Sequence, residues 1–496
     1  MMYGSNTLNN QLIIRYSLTK EFFDTFQVLT HMGIPIPYIL HRQFQARVKS
    51  YINKKQTNHL YITMLNNKHS FTTSKQVQEC LSKYQPSLTR DLSRYPHRKW
   101  ILIPGRYASF VVNYMENTPV LFSLTTLEDQ RAIDKQNIPD HMKIFNYNEA
   151  HQNELIKEKH YALMYEKAKE ILHSSSEHPL FKKKYFSKWL LRNLKPAMQS
   201  IQLLDRVIRK YPVRVIAERS EIVEPGLTLS LLGCKYGLPF VYIPPLLLGN
   251  ASFLPSRATH FCAWGKNQND WFVSRGIERS SIYNTGNLKF EYDYSPPSIT
   301  KKELYKTYKI PQEHEIVLYT TQPFHSSTNS ITEEWLIDKR FSNLPFTILI
   351  KRHPSDRINY SFIQSGTKNV KIVDQDTPLY NVLSHASLVM TVSSNTAIEA
   401  ALLNKGILVL QPTIPYNFNL NPCDYHQHLV KASAGPPVYN ADDLYYCLYS
   451  FHKDPAFRQS LLSYSNTFLK DTLEYTKSPS IEVKKVLKKA LIDSKY

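Results

Sequence analysis

From about residue 100 to residue 410 the chain alternates short apolar runs with amphipathic stretches. The runs at 100–104, 119–124 and 142–145 read as strands, the last followed by a long helical pattern to about residue 172. A more regular order begins after residue 210. Strand 213–217, helix 227–236, strand 239–243, strand 260–264 and strand 281–283 follow one another at the spacing of parallel βαβ units. The polar, proline-tandem stretch 293–300 interrupts the periodicity and reads as a connector. Beyond it come strands 316–320, 346–350, 370–373, 388–391 and 407–410. Helices are expected around 331–339, 356–364, 378–384 and 395–404. Strands this short and continuously apolar are buried on both faces, which requires a parallel sheet with helices on either side. The expected fold class is therefore α/β, with two Rossmann-like domains and a cleft between them.

Two regions resist this reading. Residues 1–90 show mixed polarity and no motif. From residue 181, Phe181, Tyr185, Phe186, Trp189 and Leu190 recur at helical spacing, with Lys182, Lys183, Lys184, Lys188 and Arg192 between them. Such a helix could lie on an anionic membrane surface, or it could be an ordinary amphipathic helix with a solvated basic face.

Composition adds little about fold and something about partners. The 496 residues carry 61 Lys+Arg against 41 Asp+Glu, a net charge of +20, which favours polyanions or anionic lipid. No recognised nucleic-acid module accompanies the charge, so nucleic acid is not an expected partner. Cys80, Cys234, Cys262, Cys423 and Cys447 are scattered without a C-x-x-C pair, which fits reduced thiols better than disulfides or zinc. No apolar stretch approaches the roughly 20 residues needed to span a bilayer, and the N-terminus lacks a signal-peptide pattern. The expected location is cytoplasmic, with at most peripheral contact with the inner membrane face.

Ligands of open parallel sheets bind beyond the carboxyl ends of the strands. In the second half these ends carry Thr321 and Gln322, with His325 nearby, then Lys351, Arg352 and His353 before Pro354. Asp374 and Asp376 follow, and then Ser393, Ser394, Asn395 and Thr396, opening a helix that bears Glu399. Hydroxyl and amide side chains at a helix start either cap it or join its free N–H groups in holding phosphate. His353 beside two cations suits a phosphodiester or pyrophosphate, or it is a structural histidine at a strand end. The Asp374/Asp376 pair could hold a divalent metal, but its place before Pro378 favours capping. No G-x-G-x-x-G, Walker A, G-x-S-x-G or H-E-x-x-H string occurs, which removes the usual support for nicotinamide, ATP-hydrolysis and zinc-protease chemistry.

The stretch from about residue 213 to residue 410 resembles bacterial GT-B-fold glycosyltransferases of surface polysaccharide assembly. The nearest likeness is to enzymes with CMP- or CDP-linked donors: sialyltransferases, capsule Kdo transferases and teichoic-acid glycerophosphotransferases. Sugar-nucleotide 2-epimerases share the architecture. Ala263-Trp264-Gly265-Lys266, Arg275-Gly276-Ile277 and Asn284-Thr285-Gly286-Asn287 look like that group's passage into the linker. His353-Pro354 looks like its HP motif. Ser393-Ser394 with Glu399-Ala400-Ala401 looks like its paired-serine motif.

The resemblance implies a nucleotide-sugar donor, CMP-, CDP- or UDP-linked, and no cofactor or metal. His353, Ser393 and Ser394 would hold the donor phosphate, with Thr321 and Gln322 facing it and Glu399 reaching the ribose; Lys351, Arg352, Asn395 and Thr396 complete the donor set. The acceptor would be a glycan or lipid-linked glycan. The division it implies is an acceptor-side domain at 1–292, a donor-binding domain at 293–475, and a basic helix at 476–496 packing back on the first.

Two features depart from the pattern. Pro244-Pro245 stands where a His-Gly is common, and Glu128-Asp129-Gln130 only partly echoes the acidic motif that supplies a base. Glu218, directly after strand 213–217, is the candidate base, unless it caps or pairs with Arg219 or Arg214. Two rivals remain at this point: a sugar-nucleotide 2-epimerase, and a non-catalytic module that binds glycan or lipid.

Overall fold

A computed structural model describes residues 6–89, 92, 98–245, 247–292, 294–324, 326–356, 358, 360, 369–412, 428–474 and 476–494. The expected helix at 356–364, His325 and Cys423 fall wholly or mainly outside the described residues. The chain forms two units, each with its own parallel sheet. The first comprises Asn6–Ala263, Phe272–Leu288 and the residues from Lys477 on; the second comprises Trp264–Trp271 and Lys289–Thr476.

The first unit opens with helices Asn10–Phe26, Ile36–Ile39, His41–Arg47, Lys49–Lys55, His59–His69 and Ser74–Leu81. A small antiparallel pair, β1 (Thr30–His31) and β2 (Ile34–Pro35), joins the first two. Helix Asn10–Phe26 is buried nearly all round: Leu12, Ile14, Leu18, Phe22, Phe23 and Phe26 lie in the core, and so do Gln11, Arg15 and Thr19. A helix enclosed on every side shows no amphipathic period, so residues 1–90 gave no pattern.

The basic, aromatic segment supplies what encloses it. It forms the start of helix Lys184–Lys210, and its aromatic face points inward. Phe22 stacks on Phe44 at 4.3 Å between centroids and meets Phe186 at 6.1 Å and Trp189 at 6.0 Å, while Phe26 meets Phe181 at 5.1 Å. The membrane-surface reading of this helix is corrected accordingly. Its apolar face is core, while Lys182, Lys183, Lys184, Lys188 and Arg192 form the solvated side.

The sheet of this unit contains β3 (Trp100–Pro104), β4 (Val120–Leu124), β5 (Lys143–Asn146), β6 (Val213–Glu218), β7 (Phe240–Tyr242), β8 (His260–Ala263) and β9 (Ile282–Asn284). All pair in parallel in the order β5-β4-β3-β6-β7-β8-β9. Strands β4, β7 and β8 are buried at every residue, as continuous apolar runs require. The C-terminal helix Pro479–Asp493 packs on β6, β7 and β8.

The second sheet contains β10 (Glu315–Thr320), β11 (Phe346–Lys351), β12 (Val370–Val373), β13 (Leu388–Thr391), β14 (Gly406–Leu410) and β15 (Pro437–Val438). It is also wholly parallel, in the order β12-β11-β10-β13-β14-β15. The two-residue edge strand β15 is too short to be seen in a sequence pattern. Tyr319, Ile348, Met390, Leu408, Leu448 and Leu461 sit in its core.

The second unit also takes in segment 264–271 and residues 289–292, which the sequence division had put with the first. The reason is local. A Cβ on Gly265 would lie 2.8 Å from the backbone carbonyl of Thr472, so the chain can approach there only through glycine. The Glu474 N–H then donates to the Trp264 carbonyl at 2.6 Å, and Asn267 donates to Thr472 Oγ1 at 3.3 Å. Among the described residues no helix is long and apolar enough to cross a membrane.

The aromatic cluster sets the stability of the helical part. Phe22→Ala should cost about 3–5 kcal/mol in urea unfolding, whereas Lys188→Gln should stay within about 0.5 kcal/mol. Equal effects would contradict the inward orientation of this face.

Candidate functional site

Each sheet has one place where the strand order reverses. In the first it lies between β3 and β6, and in the second between β10 and β13. Crossovers leave these neighbours in opposite directions, which opens a crevice at their carboxyl ends. The candidate residues cluster at these two points.

In the second unit, Thr321 follows β10 and is buried. Its hydroxyl donates to Asp356 Oδ2 at 2.6 Å and accepts from the His353 N–H at 3.0 Å. Asp356 also accepts from the Tyr360 hydroxyl at 2.8 Å and from the Ile358 N–H at 3.1 Å. The loop after β11 is thereby fixed to the end of β10. Within it the Ser355 N–H donates to His353 Nδ1 at 3.1 Å, so Nδ1 acts as acceptor and the proton belongs on Nε2. Burial lowers the His353 pKa below its ordinary 6.5, with Asp356 opposing, so the ring is neutral near pH 7. The residue therefore presents one N–H donor and no charge.

Around the serine pair, Ser393 is buried and its Oγ has no hydrogen-bond partner among the described residues. An unsatisfied buried hydroxyl costs about 1–3 kcal/mol, which a ligand oxygen would offset. Ser394 Oγ lies 2.9 Å from Thr396 Oγ1 and accepts the Thr396 N–H at 3.2 Å. Asn395 precedes helix Thr396–Leu402 as its cap residue, yet its side chain makes no capping bond. Glu399, buried on this helix, accepts through Oε1 from Lys289 Nζ at 2.9 Å and from the Tyr380 hydroxyl at 3.3 Å.

The other expected donor-binding groups make contacts within the unit. Lys351 turns toward the loop after β12, donating to the Asp374 and Gln375 carbonyls at 3.2 and 2.7 Å. That loop holds Asp374 and Asp376, and Asp374 Oδ2 accepts from Tyr308 at 3.2 Å. Among the described residues no group of three His, Cys, Asp or Glu side chains could hold a metal. Arg352 donates to the Ile358 carbonyl at 3.4 Å, and its buried Nε has no partner among the described residues. Gln322 donates to the Thr321 carbonyl at 3.1 Å, and Asn329 donates to the Gln322 carbonyl at 3.2 Å.

In the first unit the switch point is acidic. Glu218 ends β6, is 3% exposed and accepts the Arg219 N–H through Oε2 at 3.0 Å. Burial pushes its pKa up to about 7; the Arg219 N–H and charge pull it down, the Asp129 charge adds to the rise and Arg106 opposes it. Asp129 behaves oppositely. It is fully buried, but the hydroxyls of Thr126 and Thr125, together with Arg106, outweigh burial and hold its pKa below the usual value. Glu128-Asp129-Gln130 thus reads first as a capping box, with the Asp129 N–H donating to Thr126 Oγ1 at 3.2 Å. Arg106 completes the group, donating to Glu128 Oε2 at 2.7 Å and to Asp129 Oδ1 at 3.4 Å.

The segment after β6 holds two more raised carboxyls. Glu221, buried, accepts from the Ser256 hydroxyl and from the Arg257 N–H at 2.7 Å. Glu224 accepts from the hydroxyls of Thr228 at 2.7 Å and Ser200 at 3.2 Å. Burial pushes each to about 7. The segment folds back so closely that a Cβ on Gly226 would overlap the Ser220 carbonyl.

Sequence reasoning missed Asp356, Tyr360, Lys289, Tyr380 and Arg106. Only Arg106 had a readable signal, its place after a Pro-Gly at a strand end.

The sequence matches no family model and no curated protein. The structure matches the glycotransferase of kitacinnamycin with a TM-score of 0.50 at 11% identity, over 80% of this chain and 100% of that one. It is also similar to a putative UDP-N-acetylglucosamine 2-epimerase from Listeria monocytogenes, with a TM-score of 0.49 at 11% identity, over 80% and 97%. A third is the wall teichoic acid polymerase TagF, with a TM-score of 0.44 at 10% identity, over 89% and 98%. The match to the glycotransferase establishes the fold: α/β, with two Rossmann-like units of the GT-B type, as the resemblance implied.

The buried glutamates make stability depend on pH. Glu218 keeps its proton to about pH 7 when folded but only to its ordinary 4.5 when unfolded. The folded protein therefore holds more protons between these values, and stability falls as pH rises through them and levels off above. Glu218→Gln should reduce the drop in unfolding free energy between about pH 4.5 and 8 by on the order of 2–3 kcal/mol. A pH profile identical to that of the wild type would contradict the buried, protonated carboxyl.

Proposed function

We propose that the protein is a metal-independent glycosyltransferase. It would move a sugar, or a polyol phosphate, from a nucleotide-activated donor to a hydroxyl of a cell-surface polysaccharide or its lipid-linked precursor. The observation that carries this reading is the donor-rich point between β10 and β13. There a neutral His353 with its proton on Nε2 stands with Ser393, whose buried hydroxyl lacks a partner among the described residues. These groups suit an oxyanion and offer no nucleophile–base pair of their own.

In such a transfer the acceptor oxygen forms a bond to the transferred group while the bond from that group to the nucleotide phosphate breaks. The electron pair of the broken bond stays on the phosphate as added negative charge. His353 Nε2–H and the hydroxyls of Ser393 and Ser394 would donate to it, and Thr321 would position His353 through the 3.0 Å bond to its N–H. Glu399, already oriented by Lys289 and Tyr380, would accept from the ribose hydroxyls. Glu218 would take the acceptor hydroxyl's proton; a carboxyl with a pKa pushed up to about 7 is matched to proton transfer near neutral pH. Lys351 is left out of this assignment because its ammonium is bound to the loop after β12.

His353→Ala should lose most turnover while melting near the wild-type temperature; full activity in a folded variant would remove His353 from the site. A thermal-shift panel with CMP, CDP, UDP, GDP and ADP addresses the donor. A nucleotide at 100 times its Kd should add about 2.7 kcal/mol of stability, and Ser394→Ala should abolish the shift. No shift with any nucleotide would sink the transferase reading.

A further inference from the structure

A cavity lies at the other end of the second sheet, and none of the donor-site residues lines it. It encloses about 430 Å³ and is bordered by the residues that open β10, β13 and β14: Glu315, Ser387 and Gly406. Lys301, Lys405 and Arg458 bring three cations to its wall. Glu315 lines it too, but that carboxylate is taken by Arg458, whose Nη2 and Nη1 reach it at 2.5 and 3.1 Å. This pair neutralises itself, leaving the charge of Lys301 and Lys405 without a carboxylate in the wall.

Lys405 uses one of its three ammonium protons, on the Ser384 carbonyl at 3.0 Å. Burial, and then the Lys301 charge, lower its pKa. Ser384 Oγ is buried with no partner among the described residues. Phe451 and Leu462 add apolar surface to the lining, the Phe451 ring lying under the Arg458 guanidinium at 4.2 Å. The volume falls within the roughly 300–1,000 Å³ of small-molecule sites and exceeds what a lone inorganic ion needs.

We propose that this cavity is a second binding site, for a small organic phosphate monoester. The phosphate would sit between Lys301 and Lys405, accepting from the Ser384 hydroxyl, with the organic part against Phe451 and Leu462. The inference does not depend on the transferase reading, because the donor-site residues lie at the opposite ends of the same strands.

Phenyl phosphate, inorganic phosphate and benzyl alcohol are suitable probes, titrated calorimetrically into the full-length protein. Phenyl phosphate should bind more tightly than inorganic phosphate, and benzyl alcohol should give no measurable heat. Binding should weaken at least tenfold in Lys405→Gln and in Lys301→Gln, and should remain in Ser394→Ala. Lys301 is exposed, so its replacement tests the site even if Lys405→Gln unfolds. Affinity unchanged in Lys301→Gln would overturn the proposal. So would affinity lost only in Ser394→Ala, which would place the phosphate at the donor site.

Discussion

Parallel pairing is the constraint from which the rest of this structure follows. Every strand of both large sheets runs parallel to its neighbours, so no strand can return through a tight turn. Each return needs a crossover, and the crossovers cover both faces of the sheet. Covered faces demand apolar side chains at nearly every strand position, which is why β4, β7, β8, β11, β13 and β14 are buried throughout. Polar chemistry is displaced to the strand ends. At the two switch points the crossovers diverge, so the polar ends there are neither core nor simply surface. Thr321, Ser393 and Glu218 are buried and polar for this topological reason.

The two switch points use burial in opposite ways. In the first unit, desolvation drives Glu218 toward its neutral form, while neighbouring Asp129 is kept ionised by hydroxyl and guanidinium donors. Two carboxyl groups with divergent pKa values give one proton carrier and one fixed anion. In the second unit the two buried carboxylates near the crevice already have partners. Asp356 fastens the His353 loop, and Glu399 is paired with Lys289. What faces the crevice is then a set of uncharged donors.

Much of this was legible in the chain because short apolar runs with helical spacers have few other solutions. The strands from 213 to 410, and the placement of His353 and Ser393 at strand ends, follow from that pattern. What stayed hidden depends on partners distant in sequence. The period of Phe186 and Trp189 was visible, but nothing local shows that Phe22 and Phe44 cover them. The type of Lys351 suggested a phosphate contact, whereas its direction is set by two carbonyls more than twenty residues away. Gly265 looked like part of a motif leading to the linker. Its physical reason, contact with the backbone at Thr472, lies about two hundred residues downstream.

The net charge of +20 illustrates the same separation between quantity and position. Much of it is spread over solvated surface, such as Lys182, Lys183, Lys184 and Lys188, where counter-ions screen each charge within about 10 Å. Other cations are spent internally: Lys351 on loop carbonyls, Arg106 on Asp129 and Glu128, Arg458 on Glu315. Neither class selects a ligand. A cation becomes selective when it is held in a concave wall, partly desolvated, beside another cation and without a carboxylate to satisfy it. Lys405 meets that description, with exposed Lys301 as the neighbouring cation in the same wall.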